Sequence, residues 1–226
     1  PEMYENYRRE DIENHIHKIG FHPLDVMVTG ATGAGKSSTL NSFFDKVVAK
    51  VGEGVDPETM ELSAYSLTDQ MRFWDTPGLG DGIQRDVAHA KKITDLLLRT
   101  HHEQFYFLDM AVIIVEAGTR DIGTTLDLME HVLRGNLPAD RILVALNQAD
   151  FAMKGRHWDA QHNCPDAVLK AYLEERADSL KRRIYESTGI CLCRPVYYSA
   201  RYRYHIDKLY DLIIDHMPDS PRKISA

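Results

Sequence analysis

Apolar residues follow two rhythms along this chain. Short apolar or β-branched runs fill Leu24–Thr29, Met110–Val115, Arg141–Leu146 and Arg194–Tyr198, the pattern of strands covered on both faces. Glu61–Thr68 and Met71–Trp74, separated by Asp69-Gln70, predict a hairpin. Between these runs the spacing changes to three and four. Leu40 and Phe43/Phe44 follow Lys36 in this way, Ala88–Arg99 reads as helix, and Leu126, Met129 and Leu133 share a face. So do Leu173, Ala177, Leu180 and Ile184, and finally Ile206, Leu209, Tyr210, Ile213, Ile214 and Met217, which stop at Pro218. Thr124 and Asp127 predict a capping box. The charged stretch Tyr4–Lys18 predicts a surface helix, and Phe151–Pro165, aperiodic and containing Gly155 and Asn163, an inserted loop.

Strands alternating with helices imply parallel crossovers. The expected fold is a three-layer α/β domain: a mostly parallel six-stranded sheet with one antiparallel strand and helices on both faces. Residues 1–21 would form a helix outside the core, 22–217 the domain with its insertion at about 151–165, and 218–226 a C-terminal tail. Ligands of such sheets sit at the carboxyl ends of the strands, here the loops after Thr29, Trp74, Val115, Leu146 and Tyr198.

Composition narrows the class. At 226 residues this is one domain, and 43% hydrophobic against 27% charged residues excludes a disordered chain. No run approaches the roughly 18 apolar residues of a membrane span, and Pro1-Glu2-Met3 begins no basic-then-apolar leader. Three cysteines make no disulfide framework, so a reducing, cytoplasmic setting is expected. The net charge of −7 argues against nonspecific nucleic-acid binding.

The first strand-end loop, Gly30-Ala-Thr-Gly33-Ala34-Gly35-Lys36-Ser37-Ser38, matches G-x-x-x-x-G-K-[ST] in full. Gly30, Gly33 and Gly35 let successive backbone N–H groups turn toward phosphate oxygens. The helix that follows adds its positive end. Lys36 supplies a point charge near the β/γ-phosphates, and the Ser37 hydroxyl is a hard ligand for Mg²⁺. After the hairpin, Asp75-Thr-Pro-Gly78 offers a carboxylate for the same ion and an amide that can sense a γ-phosphate.

Two further loops point to the base. Asn147-Gln148-Ala149-Asp150 follows the strand ending at Leu146. A carboxylate at Asp150 accepts from guanine N1–H and the 2-amino group, a donor pair that adenine lacks. Asn147 can tie this loop to the phosphate loop. Ser199-Ala200 can give a backbone amide to guanine O6.

With these motifs in this order, residues 22–217 resemble the translation-factor-related small GTPases of the bacterial Era-like branch. Some likeness extends to the immunity-related and septin-like groups. The resemblance implies a Mg²⁺-dependent switch that binds GTP and GDP and hydrolyses GTP, with Lys36, Thr59 and Gly78 at the reacting phosphate. Ser37, Thr59 and Asp75 would serve the metal. The nucleotide would lie on Gly30, Gly33, Ala34, Gly35, Lys36, Ser37, Ser38, Asn147, Gln148, Asp150, Ser199 and Ala200. Three positions depart from the pattern. The lysine that stacks along the base is Gln148. The glutamine that orients water in Ras-like members is Leu79, which implies slow unaided hydrolysis. The switch threonine has no fixed motif; Thr59 is chosen over Thr39 and Thr68.

Other readings remain open beside this one: a nucleotide-dependent assembly module with incidental turnover, or an ATPase. A protein partner or a second copy would dock through the switch regions, where Leu79 and Ile83 would be exposed, and Arg120 could act across a dimer. Arg201 and Arg203, interleaved with Tyr202 and Tyr204, offer a ribosome or RNA contact or simply a rim to the guanine pocket. His157, His162 and Cys164 have suggestive metal-ligand spacing without a second pair nearby. Cys191 and Cys193 read as packing residues.

Overall fold

The computed structural model describes residues 6–19, 23–43, 63–68, 70–80, 82–101 and 104–224. Thr59 lies outside the described residues.

Six strands form the central sheet: β1 (Leu24–Gly30), β2 (Ser63–Thr68), β3 (Met71–Asp75), β6 (Met110–Glu116), β7 (Ile142–Asn147) and β10 (Val196–Tyr197). Their spatial order is β10-β7-β6-β1-β3-β2, and every pairing is parallel except β2 with β3. This is the expected sheet with its single antiparallel strand. Helices α1 (Arg9–Ile19), α2 (Lys36–Phe43) and α6 (Ile206–Asp215) cover one face. The other carries α3 (Ile83–Leu98), α4 (Gly123–Asp127) and α5 (Ala167–Thr188).

β6 shows why its sequence is unbroken in apolarity. Met110, Val112 and Ile114 enter the core beneath α2 and α6, while Ala111, Ile113 and Val115 enter the core beneath α3 and α5. Alternation along a strand sends neighbours to opposite faces, and here both faces are dry.

Element ends differ from expectation for identifiable reasons. α3 begins at Ile83 rather than Ala88 because its first turn leaves Ile83 and Val87 in solvent, outside any apolar stripe. The capping box at Thr124 does not form. The helix starts at Gly123, whose N–H bonds Asp121 Oδ1 at 2.8 Å, and it runs into a π-helical turn at Leu128–Leu133. Only Val196 and Tyr197 of the run Arg194–Tyr198 pair with β7. The insertion is ordered: β8 (Trp158–Asp159) pairs with β9 (Cys164–Pro165). Asp166 then caps α5 by accepting from Val168 N and Leu169 N.

Packing extends beyond the expected limits at both ends. Ile12 of α1 is buried in the same core as Leu209 and Met217, and Ile19 is buried as well, each such burial contributing about 1.5–3 kcal/mol. Past Met217, the chain crosses the amino end of the sheet beside the small ladder of β4 (Thr100–His101) and β5 (Phe105–Tyr106). Arg222, 5% exposed, donates there to Leu97 O, Leu108 O and Asn136 O at 3.0, 2.9 and 2.7 Å. A cavity of about 650 Å³ opens beside it, lined in part by Tyr106, Pro138, Arg141 and Lys223.

Candidate nucleotide site

The phosphate loop is built where β1 ends against its neighbour. Gly30 pairs with Ile114, and a Cβ at Gly30 would stand 2.2 Å from Ile114 O, so this step between strand and loop has room only for glycine. Gly35, at φ +88°, has Asn147 Nδ2 2.3 Å from where a Cβ would be. The loop then enters α2, and Lys36 is nearly buried. Its ammonium donates to Gly30 O and Ala31 O, at 3.2 and 3.0 Å, which holds it over the loop. Ser38 lies exposed in the first turn, whereas Thr39 is buried and donates to Gly35 O.

β3 delivers Asp75 to the same place. Ser37 Oγ donates to Asp75 Oδ2 at 2.8 Å, while Asp75 Oδ1 is sealed from solvent with no hydrogen-bond partner among the described residues. Burial raises the Asp75 pKa, opposed by the Ser37 hydrogen bond and the Lys36 charge. A hydroxyl and an orphaned carboxylate oxygen side by side are the hard donors that Mg²⁺ takes through one or two direct or water-bridged contacts. These residues therefore fit that ion.

Gly78 approaches the loop closely: a Cβ there would lie 2.5 Å from Thr32 Oγ1 and 2.9 Å from Lys36 Nζ. Leu79 extends the β1–β3 pairing one step further, through Leu79 N to Gly30 O at 3.3 Å and Thr32 N to Leu79 O at 2.7 Å. Its side chain is 6% exposed and belongs to the core, so the expectation of an exposed Leu79 is corrected; Ile83, at 85%, is the exposed residue.

The far wall comes from β7 and the loop after β10. Asn147, 2% exposed, donates from Nδ2 to Ala34 O at 3.0 Å and accepts Ala200 N–H on Oδ1 at 3.1 Å. It thereby ties the phosphate loop to the Ser199-Ala200 loop, as the sequence suggested for the phosphate side. Gln148, at φ +62°, donates to Gly33 O at 2.9 Å. Ser199 Oγ donates to Asp150 Oδ1 at 2.6 Å, fixing the orientation of the carboxylate.

The insertion braces this wall. Trp158 packs against Tyr202 and Tyr204 at centroid distances of 5.3 and 5.2 Å, and Asn163 Nδ2 donates to Tyr202 O. His157 and His162 pair instead with Asp166 and Asp159. Among the described residues no group of three or more His, Cys, Asp or Glu is placed to hold a metal ion. Sequence reasoning passed over Thr32, Asp86 and His89. Their signal is position: Thr32 lies inside the loop motif, and Asp86 and His89 are three apart on the helix that follows Gly78.

Residues 25–177 match the model of the 50S ribosome-binding GTPase family. The chain belongs to that family. It is a P-loop GTPase of the translation-factor-related class. GTPase Era of Campylobacter lari is 27% identical over 208 residues, covering 90% of this chain and 58% of that protein. The tRNA modification GTPase MnmE of Histophilus somni is 23% identical over 189 residues, covering 82% of this chain and 40% of its own length. The chain spans about half the length of such curated relatives. Among solved structures, Toc33 from Arabidopsis thaliana, with Mg²⁺ and GMPPNP, superposes with a TM-score of 0.63 at 16% identity, covering 99% of this chain and 98% of Toc33. A GTP-binding protein from Sulfolobus solfataricus, with GDP, gives 0.54 at 18% identity, covering 93% and 57%. These likenesses support the same fold.

Proposed function

We propose that this GTPase is a Mg²⁺-dependent switch of the Era-like branch, with slow unaided hydrolysis. The observation that carries the reading is the meeting of Lys36, the Ser37–Asp75 pair and Gly78 at one loop, with Asp150 held by Ser199 across Asn147. A magnesium ion at Ser37 and Asp75 would neutralise phosphate charge. The chain's own groups do the rest. Loop amides and Lys36 bind and orient the phosphates and oppose the charge that develops on the transferring group. Asp150 selects the base. The Leu79 side chain faces the core and presents no group to orient water, which supports slow turnover.

Calorimetric titration with GDP, a non-hydrolysable GTP analogue and ATP in magnesium buffer tests this. Binding of both guanine nucleotides with little heat from ATP is expected; ATP binding as tightly as GTP would defeat the guanine assignment.

A second reading, assembly across the nucleotide faces, draws on Arg120. It is exposed in the loop after β6, at the same sheet edge as the phosphate loop. An arginine-to-alanine variant of the Toc33 neighbour is described as dimerization-deficient. Single-turnover hydrolysis that rises steeply with protein concentration, and loses that rise in Arg120→Ala, favours assembly; a flat profile favours the self-contained enzyme. RNA or ribosome contact through Tyr202 and Tyr204 is the weaker partner reading, since both rings pack on Trp158.

A further inference from the structure

The backbone from Gly78 to Gly80 is clamped from two sides. In the first peptide plane, the Gly78 carbonyl accepts from His89 Nδ1 at 2.6 Å, and the Leu79 N–H donates to Gly30 O at 3.3 Å. In the second, the Leu79 carbonyl accepts from Thr32 N at 2.7 Å, and the Gly80 N–H donates to Asp86 Oδ1 at 2.8 Å. Each plane is thus held once by the phosphate loop and once by a side chain of α3. A carbonyl can only accept, so His89 carries its proton on Nδ1. Asp86 and His89, three apart, share one helix face.

One group of this stretch is left over. The Gly78 N–H has no partner among the described residues, and a Cβ on Gly78 would stand 2.9 Å from Lys36 Nζ. We propose that Asp86 and His89 are positioning residues that lock the two planes after Gly78, so that this amide stays aimed at the terminal phosphate of a nucleoside triphosphate. The inference rests on the GTP reading above and adds which side chains make the protein tell triphosphate from diphosphate. Gly78 and Gly80 are the reason the lock is needed. Both lack a Cβ and Gly80 sits at φ +101°, so without the α3 contacts each plane keeps a single hydrogen bond, to the phosphate loop, to limit its rotation. Freeing one such residue costs the bound state about tenfold in affinity when it must be ordered again.

The test compares wild type, His89→Ala, His89→Asn and Asp86→Ala by titrating a fluorescent GDP and its non-hydrolysable GTP counterpart in magnesium buffer. GDP makes no contact with the Gly78 amide, so its affinity reports folding and the rest of the site. His89→Ala is expected to keep GDP affinity within about twofold while losing about tenfold for the triphosphate. His89→Asn, with an amide nitrogen near the position of Nδ1, should recover most of that loss. Asp86→Ala should lose about threefold, as for one solvent-exposed hydrogen bond. An unchanged triphosphate-to-diphosphate ratio in both alanine variants, or equal loss for both nucleotides, overturns the proposal while leaving GTP binding intact. Wild type that binds neither nucleotide overturns the function itself.

Discussion

The two ends of the sheet treat polar groups in opposite ways. At the amino end the buried charged side chains each have a protein partner. Asp25, fully buried, receives Arg72 through two hydrogen bonds at 2.8 and 2.7 Å and Trp74 Nε1 at 2.8 Å, while its own N–H goes to Asp109 Oδ2. Arg141 and Arg222 cap carbonyls from four different segments. Burial, and then repulsion from Arg141, pulls the Arg222 pKa down to about 10, yet it stays charged at neutral pH. At the carboxyl end, groups are left open: Asp75 Oδ1 and the Gly78 N–H have no protein partner among the described residues. A buried polar group without a partner is costly, and at this end a bound ligand would supply one.

The contrast is broken most severely at Arg222. Arg222→Ala strands three carbonyls in a closed region and should lower unfolding free energy by about 4 kcal/mol. Urea melts would read this, and the folded fraction should keep its GDP affinity. Asp75→Asn should act the other way round. Magnesium-dependent triphosphate affinity is expected to fall about a hundredfold, near 2.7 kcal/mol, while the melting midpoint without nucleotide holds or rises because a buried charge is gone. A large loss of stability there would erase the distinction between the ends.

The raised pKa of Asp75 gives a sharper version. A carboxylate whose folded pKa lies above its unfolded one favours folding below the unfolded value, and that contribution disappears as pH rises through the folded value. Without magnesium or nucleotide, wild type should therefore lose stability relative to Asp75→Asn as pH rises above the ordinary carboxylate range. Identical pH profiles would contradict it. Smaller still, Asp166→Ala removes the α5 cap and should cost about 1 kcal/mol in a thermal melt. Ile83→Ser, at an exposed site, should shift the melt by no more than about 0.5 kcal/mol.

The motif loops were legible because each asks for particular residue types. Only glycine tolerates the approach of Gly30 to Ile114, and lysine puts a compact point charge at the end of a flexible stem. Strand interiors were legible for a related reason: burial on both faces leaves an unbroken apolar run. The first turn of α3 was not, because exposed apolar residues carry no periodic signal. The orientation of Leu79 was missed because its neighbours in sequence are glycines, while its partners are Gly30 and Thr32, far away along the chain.

By itself, then, the amino-acid order determined the layer architecture and which motif-bearing loops stand at the carboxyl end of the sheet, since those depend on local periodicity and residue type. The tertiary structure decided which polar groups are satisfied. It brought Arg222 to the carbonyls of three distant segments, joined Asn147 to two loops, and set Asp86 and His89 behind Gly78. Hydrogen-bond closure is a property of atoms within about 3 Å in space, and separation along the chain says nothing about that distance.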